Sequence, residues 1–274
     1  MNRSVALTVL VASLVVALPA GARPPAEHED NLLDDRFEIG GALVSTSSST
    51  HLRVDSSAGA PGTEVDAEND LGLAKKKTLG RLDVLFRPAS RHTIRVNYLF
   101  IPFERSGTAV LSKDVYFKDN LYQASETVSS RLDVRLEGVD YSYSVVRTEQ
   151  AAVGVAVGIE GMEFSADANV PARLAQQHEA RSAPVPLLGL DATYRFSKHW
   201  YADADWRYLK ANVSHVHGSA QLWNAEVLYR FNPTVTVGLG YSAYHVTIDS
   251  LKVGDTGYFN IATGGPMLSA RVGF

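Results

Sequence analysis

Apolar residues occupy every second position in ten separate segments of this 274-residue chain. Successive side chains of a β-strand point to opposite faces, so strict alternation predicts strands that each have one apolar face. No segment of comparable quality shows the 3.6-residue period of an amphipathic helix. The ten segments cover residues 37–43, 80–86, 94–100, 139–145, 153–159, 188–196, 200–208, 223–231, 235–243 and 268–274.

The connections between these segments alternate in length. Short turns at one end and long polar loops at the other predict an up-and-down antiparallel meander. In outer-membrane barrels the short turns face the periplasm and the long loops face outward, and an even strand number places both chain ends in the periplasm. The tight connections are residues 88–91, 147–150, 197–199 and 232–234, and the long ones lie near 50–77, 104–128, 165–183, 211–219 and 248–264.

Two folds fit this pattern, because a soluble barrel or sandwich turns its apolar face inward whereas a membrane barrel turns it outward. Small residues such as Ala192, Ala204 and Gly80 interleave with large ones on the apolar face, a mixture that lipid tolerates. Aromatic residues cluster at strand ends beside the short turns, as an interfacial girdle requires. These aromatic residues are Phe86, Tyr143, Tyr194, Phe196, Trp200, Tyr229, Phe231 and Phe274.

The chain ends on the alternating residues Leu268, Ala270, Val272 and Phe274. In this it resembles the outer-membrane β-barrel proteins of Gram-negative bacteria, where such an ending is the signal read by the barrel assembly machinery. The segments 37–40, 53–57, 62–63 and 70–73 are similar to those of a group of small, functionally uncharacterised proteobacterial barrels. The resemblance implies an all-β transmembrane barrel of about ten strands, with eight or twelve as alternatives, and it implies no activity.

The N-terminal segment predicts export. Arg3 precedes an apolar run from Val5 to Leu18, and Ala20 and Ala22 form a small-residue cleavage site typical of a signal peptide. We therefore expect a signal peptide at 1–22, a periplasmic tether at 23–35 and a barrel domain at 36–274. The chain has no cysteine, which excludes disulfides and thiolate chemistry, and its net charge of −4 disfavours nucleic acid as a partner.

Alternation assigns seven acidic residues and seven arginines to the lumen. Balanced charges in a narrow interior indicate paired networks, because an unpaired buried charge is costly. The resulting hypothesis is a monomeric structural or surface-interaction barrel in outer-membrane lipid and lipopolysaccharide, without cofactor or metal. The alternatives are a narrow channel for ions or small solutes and a surface hydrolase acting on lipid A or peptides. The predicted lumen residues are Glu38, Arg81, Asp83, Arg87, Arg95, Glu160, Asp191, Arg195, Asp203, Asp205, Arg207, Glu226, Arg230 and Arg271.

Two weaker motifs bear on the hydrolase alternative. His217 and Ser219, with Glu226 downstream, resemble the His-x-Ser spacing of outer-membrane lipid A 3-O-deacylases, in which a serine nucleophile, a histidine base and a glutamate act together. The residues around them do not match that family, so simple loop histidines are the alternative. Ten strands are also typical of the omptin proteases, but no Asp-Asp or Asp-His pair here matches their motif.

Three further features complete the sequence picture. The alternate acids Asp66, Glu68 and Asp70 resemble a calcium loop without its bidentate glutamate, so an ordinary acidic loop is the alternative. Lys75, Lys76 and Lys77 lie where this loop re-enters the barrel, at the depth of lipopolysaccharide phosphates. Apolar residues change from even to odd positions near 137–138, which predicts a β-bulge there or a hairpin that leaves the bilayer.

Overall fold

The computed structural model describes residues 31–56, 58–101, 103–117, 119–170, 175–213, 216–250 and 257–274. The predicted signal peptide and residues 23–30 of the predicted tether lie outside the described residues. The described part of the chain forms a closed antiparallel barrel of ten strands with two small additional pairings, which confirms the predicted fold class. Among the described residues, no helix is long and apolar enough to cross a membrane.

A short 3-10 helix spans Leu32–Asp34, and the strands are β1 Phe37–Val54, β2 Val65–Asp66, β3 Lys76–Ala89, β4 His92–Ile101, β5 Phe103–Val110, β6 Val115–Phe117, β7 Asn120–Tyr122, β8 Thr127–Arg147, β9 Ala151–Val170, β10 Ala175–Arg195, β11 Trp200–Val213, β12 Val216–Arg230, β13 Val235–Ser250 and β14 Gly257–Gly273. Each barrel strand pairs with its sequence neighbours, and the last strand pairs with the first to close the barrel. The third barrel strand is divided into β4 and β5, which both pair with β8. The short β2 extends the edge of β1, and β6 pairs with β7.

The half of the barrel next to the tight turns, here called the turn end, has an apolar outer face. Outward side chains such as Leu239 and Leu268 are exposed, as expected of a surface that meets lipid. Aromatic residues form a ring at the turn end, where the rings of Phe37 and Phe274 stack 6.4 Å apart. A second ring bounds the apolar face on its other side and consists of Tyr98, Trp206, Tyr208, Trp223 and Tyr241. The outward apolar residues between the two rings are called the lipid band below.

Beyond the second ring, at the hairpin end, the polarity of the wall is inverted. In β8 the even-numbered residues Leu132 and Val134 are buried inside, while Arg131 and Arg135 point outward. Even positions of β8 still face inward below Gly138, and there they are polar. The strand therefore keeps its phase, and the predicted bulge at 137–138 is wrong. The register shift of β8 against β9 lies instead between Ser144 and Val146. The apolar side changes because the exterior changes from lipid to water.

Most of the predicted long loops prove to be strand. Residues 165–170 and 175–183 continue β9 and β10, and β11 and β12 pair as far as Val213 with Val216. The predicted loop at 50–77 completes the wall between β1 and β5. A Cβ on Gly107 would lie 2.1 Å from the carbonyl oxygen of Gly72, so this close backbone approach requires glycine.

A buried ion pair fixes that loop to the wall. The Arg105 side chain is fully buried, contacts Glu68 and lies 4.6 Å above the ring of Phe103. Glu68 also accepts a hydrogen bond from the backbone N–H of Thr50 at 2.8 Å. The charge of Arg105 is thereby neutralised where the side chain is buried.

Candidate functional site: the lumen

The turn end of the lumen is closed by residues 31–36, which the sequence analysis placed mostly in the tether. Leu32 packs with Tyr201 and Leu228, and its backbone N–H donates to the Tyr201 hydroxyl at 3.3 Å. Asn31 donates to the backbone carbonyl of Glu149 in a tight turn at 2.9 Å. The segment therefore forms a plug, called the N-terminal plug below.

Asp35 anchors this plug by charge. Arg230 donates to both carboxylate oxygens of Asp35, at 2.8 and 3.0 Å, and Arg87 donates to its backbone carbonyl at 2.7 Å. A Cβ on Gly273 would lie 2.0 Å from an Asp35 carboxylate oxygen, so only glycine leaves room for this carboxylate. Arg147 pairs with Asp34 at 2.9 Å at the rim. Bidentate arginine–carboxylate pairs are among the stronger charge contacts, so the plug is firmly held.

Directly above the plug, Arg271 of β14 lies among three carboxylates. Its guanidinium is 3.4 Å from Glu38, 3.4 Å from Asp203, and contacts Glu226. Glu226 also accepts a hydrogen bond from the Ser269 hydroxyl at 2.6 Å. The closing pair of strands, β1 and β14, is therefore joined by charge as well as by backbone hydrogen bonds.

A second cluster fills the opposite side of the lumen. Arg207 is 2.6 Å from Asp140 and 2.8 Å from Asp191, and Arg95 lies 3.8 Å from Asp191 and 3.5 Å from Asp205. Asp140 and Arg207 are both buried. Since each arginine meets two carboxylates, the cluster is a network rather than a set of isolated pairs.

Arg81 extends the second cluster and, with Asp83, lines the same space as Glu38 and Arg271. It pairs with Asp83 at 2.8 Å and donates to Asn224 at 3.2 Å, and Asn224 donates in turn to Asp205 at 2.9 Å. The Arg81 side chain also reaches the Tyr244 hydroxyl at 3.5 Å. The arginines and acids of β1, β3, β4, β8, β10, β11, β12 and β14 thus form one layer across the barrel, called the charge layer below.

Two of the predicted lumen residues lie at the margins of this layer. Glu160 points inward at its upper side and is hydrogen-bonded to Asn97. Arg195 lies at the turn end, where it donates to the backbone carbonyl of Ser197 at 3.3 Å. The sequence analysis overlooked Asp140, although its even position in β8 indicates the lumen. It also overlooked Asp35, for which no alternation exists to give a signal.

Above the charge layer the lumen becomes apolar. Buried side chains from β1, β3, β5, β8, β12, β13 and β14 pack together with those of the loop segments around Leu73 and Leu111. Within this core lies a cavity of about 50 Å³, called the apolar cavity below. Twelve of its fifteen lining residues are apolar, and Glu160 and Tyr244 lie at its boundary with the charge layer.

The structure does not bring His217, Ser219 and Glu226 together. Glu226 is buried in the lumen, whereas His217 and Ser219 belong by their odd positions in β12 to the outer face. Seven residues of strand also separate Ser219 from Glu226, which corresponds to about 23 Å. His217 pairs with Asn212 of β11 and lies within a strand rather than at a loop tip.

The acidic loop at 66–70 uses its carboxylates internally. Asp66 accepts hydrogen bonds from Glu68 and Asn69, Asp70 accepts from the backbone of Asp66, and Glu68 contacts Arg105. Burial alone would raise the pKa of Asp66, but the hydrogen bonds from Asn69 and Glu68 outweigh it and hold that pKa below its ordinary value. These contacts form a turn, and within the described residues no group of three acids, histidines or cysteines is arranged to hold a metal.

The three lysines at 75–77 do not share one face. Lys76 pairs with Ser47 on the outer face of the wall and is exposed, whereas Lys77 pairs with the inward-facing Thr46. The Thr46 hydroxyl donates to the backbone carbonyl of Lys77 at 2.8 Å. Lys76 is therefore the lysine of β3 that is positioned on the outer surface.

A serine, a histidine and a glutamate meet on the outer face above the lipid band. The Ser49 hydroxyl lies 3.5 Å from His51 Nε2, and His51 Nδ1 lies 3.8 Å from a carboxylate oxygen of Glu64. The order is that of a nucleophile, a base and an orienting acid. Both distances exceed the roughly 2.6–3.2 Å of a working pair, although such contacts are often longer in unliganded sites.

No protein-family model matches the chain, and no curated protein matches it in sequence. Solved structures do match. The outer membrane protease OmpT from Escherichia coli has a TM-score of 0.54 at 10% identity, covering 90% of this chain and 99% of that one. Ail, the attachment invasion locus protein of Yersinia pestis, has a TM-score of 0.37 at 10% identity, covering 87% and 99%. Neisserial surface protein A has a TM-score of 0.34 at 13% identity, covering 87% and 97%.

The similarity to OmpT agrees with the closed barrel described above. The chain has the fold of outer-membrane β-barrel proteins, as the sequence resemblance predicted. At about 10% identity the likeness to OmpT shows the fold alone.

Proposed function

We propose that this protein is a non-conducting outer-membrane barrel that serves as a structural unit and displays long β-hairpins outside the cell. The observation that carries the proposal is the filling of the lumen at three successive levels. The N-terminal plug closes the turn end, the charge layer crosses the middle, and the apolar core fills the hairpin end. A water-filled channel needs a continuous polar path, and the apolar core interrupts one.

The outer surface supports the display of hairpins. The strand β8 has 21 residues, about twice the roughly 9–11 that cross a bilayer. Its extension beyond the lipid band carries Arg131 and Arg135 on the outside, which pair with Glu104 at 3.2 Å and Glu163 at 3.9 Å. In this proposal the tight turns and both ends of the mature chain lie in the periplasm. The terminal residues 268–274 serve barrel assembly, and Lys76 contacts lipopolysaccharide phosphate.

Planar-bilayer recordings of the refolded protein test the closed lumen. We expect no steady conductance from protein whose folding is verified by heat-modifiable migration on a gel. Asp205→Asn changes a lumen charge, and Glu163→Gln is its matched control on the outer surface. Steady conductance whose ion selectivity shifts with Asp205→Asn but not with Glu163→Gln would overturn the proposal in favour of a channel.

A surface hydrolase is the second candidate, favoured by the alignment of Ser49, His51 and Glu64 on the outer face. In this role Ser49 attacks an ester or amide carbonyl while His51 takes the hydroxyl proton and Glu64 orients the imidazole. The bond to the leaving alcohol or amine breaks as His51 returns the proton to it, and water then hydrolyses the acyl-serine. The test is release of acyl chains from lipid A or cleavage of peptides by the folded protein. Ser49→Ala should abolish such activity and Ser47→Ala, on the same face, should retain it. Wild-type protein without either activity would reject this candidate.

A further inference from the structure

The wall of the barrel has a seam between β10 and β11. Among the described residues, the last backbone pair between these strands is Leu188 with Tyr208. Beyond it β10 remains paired with β9 as far as Ala175, and β11 remains paired with β12 as far as Val213. The two strands therefore continue toward the hairpin end without pairing with each other.

Two prolines account for this seam. Pro184 and Pro186 occupy positions of the same parity in β10, and alternate residues of a strand direct their backbone groups toward the same neighbour. Proline has no N–H, so two successive donors are missing from one edge of β10. Since the other edge stays paired with β9, the edge without donors is the one that faces β11.

The apolar cavity lies behind the seam. Leu187, the first residue of β10 beyond the last pair with β11, is buried and lines the cavity. Leu222 and Ala220 of β12 line it from the other side of β11. On the outer face the seam begins between Leu188 and Tyr208, which are both exposed and belong to the upper margin of the lipid band. The seam therefore lies between the upper margin of the lipid band and the cavity.

We propose that the apolar cavity binds the terminal carbons of an acyl or alkyl chain, which enters sideways through the seam from the lipid leaflet at the hairpin end. The cavity exposes no polar lining surface, so it favours an uncharged hydrocarbon segment over a solute with a polar body. Its floor is the charge layer, which stops the chain from passing to the turn end. The site therefore holds the chain without transporting it across the membrane.

Photolabelling distinguishes the inside of the wall from the outside. The folded protein is placed in phospholipid vesicles with a long-chain alcohol that carries an alkyl diazirine, and the labelled residues are mapped by mass spectrometry. We expect labels on the inward Leu222 and Val246 as well as on the outward Trp223, which serves as the internal control for contact with bulk lipid. Labels confined to outward residues would overturn the proposal.

Two manipulations test the cavity and the seam separately. Ala220→Phe fills the cavity and should remove inward labels while outward labels persist. Leu188→Cys combined with Lys210→Cys keeps both prolines and places two thiols across the start of the seam, and a bifunctional thiol reagent joins them. Cross-linking should abolish inward labelling, and the two single variants treated alike should retain it. Inward labels that survive cross-linking would refute entry through the seam.

Chain length provides a test that needs no variant. A chain that enters from the leaflet must reach from the seam to Val246, so shortening the probe below that reach should remove inward labels while labelling of Trp223 persists. Labelling of Trp223 from bulk lipid is compared at matched membrane concentrations of each probe. An inward-to-outward ratio that is independent of chain length would show that no hydrocarbon site exists inside the barrel.

Discussion

Removing the Arg271 guanidinium should destabilise the barrel far more than removing an outer arginine. In Arg271→Leu, three carboxylates lose a shared cation while two of them remain almost fully buried. Glu38 and Glu226 have side-chain exposures of 1% and 4%. Breaking a buried pair by removing one partner costs about 3–5 kcal/mol. We expect a loss of that size in the free energy of unfolding.

The three carboxylates are affected unequally. Asp203 keeps a hydrogen bond from the Thr193 hydroxyl at 2.7 Å, and Glu226 keeps the one from Ser269. One carboxylate oxygen of Glu38 accepts no hydrogen bond from the described residues. Adding Glu38→Gln to Arg271→Leu should therefore recover at least ~1 kcal/mol, a coupling that a double-mutant cycle measures.

Arg135→Leu is the matched control, because the Arg135 side chain is 64% exposed and its acidic partners lie 3.5 and 3.9 Å away. Exposed pairs of this kind contribute about 0–1 kcal/mol. The assay is urea unfolding of purified protein in lipid vesicles, followed by tryptophan fluorescence. Refolding in vitro is essential, since Arg271 lies within the proposed assembly signal. Equal losses for Arg271→Leu and Arg135→Leu would refute the reasoning.

Three further predictions concern orientation, the plug and assembly. The chain has no cysteine, so a membrane-impermeant maleimide labels only an introduced thiol. Lys113→Cys should be labelled on intact cells, whereas Lys198→Cys should be labelled only after permeabilisation. The reverse result would show that the topology is inverted. Gly273→Ala should displace Asp35 and lower the free energy of unfolding in lipid vesicles by about 1–3 kcal/mol. Gly41→Ala is the control, because a Cβ there meets only ordinary contacts, and it should leave that free energy unchanged. Deleting Phe274 should impair assembly in cells, seen as lost heat-modifiability, while folding in vitro persists.

The sequence suffices to predict the strands, the barrel and the inward side of each strand in the lipid band, because one rule of alternation governs them all. It places Arg271 and Glu38 in the lumen, where the structure also has them. The same rule would have found Asp140, which was overlooked beside Val139 and Tyr141. Asp35 is different, because it precedes the first strand and its position depends on contacts with Arg230, nearly 200 residues away.

The change of apolar side near 137–138 has a physical origin that applies to other barrels. Of its two predicted causes, the bulge is wrong, whereas a hairpin that leaves the bilayer agrees with the unbroken register of β8 there, because the apolar side of a strand is its outer side only where the exterior is lipid. In β8 the side chains of Val139 and Tyr141 face lipid, whereas those of Leu132 and Val134 face the lumen. Strand parity is constant while the apolar side changes, and such a change without a bulge indicates the membrane boundary.

This boundary explains why the seam and the cavity occur at one level. Below it, the lumen can hold charges because paired arginines and acids satisfy one another inside a lipid-facing wall. Above it, the wall is surrounded by water, and the apolar core inside stabilises it as in a soluble barrel. Pro186 ends the pairing of β10 with β11 at this transition, just beyond Leu188 and Tyr208. A hydrocarbon chain in the adjacent leaflet therefore meets an apolar interior at the height where the wall is not closed by backbone hydrogen bonds.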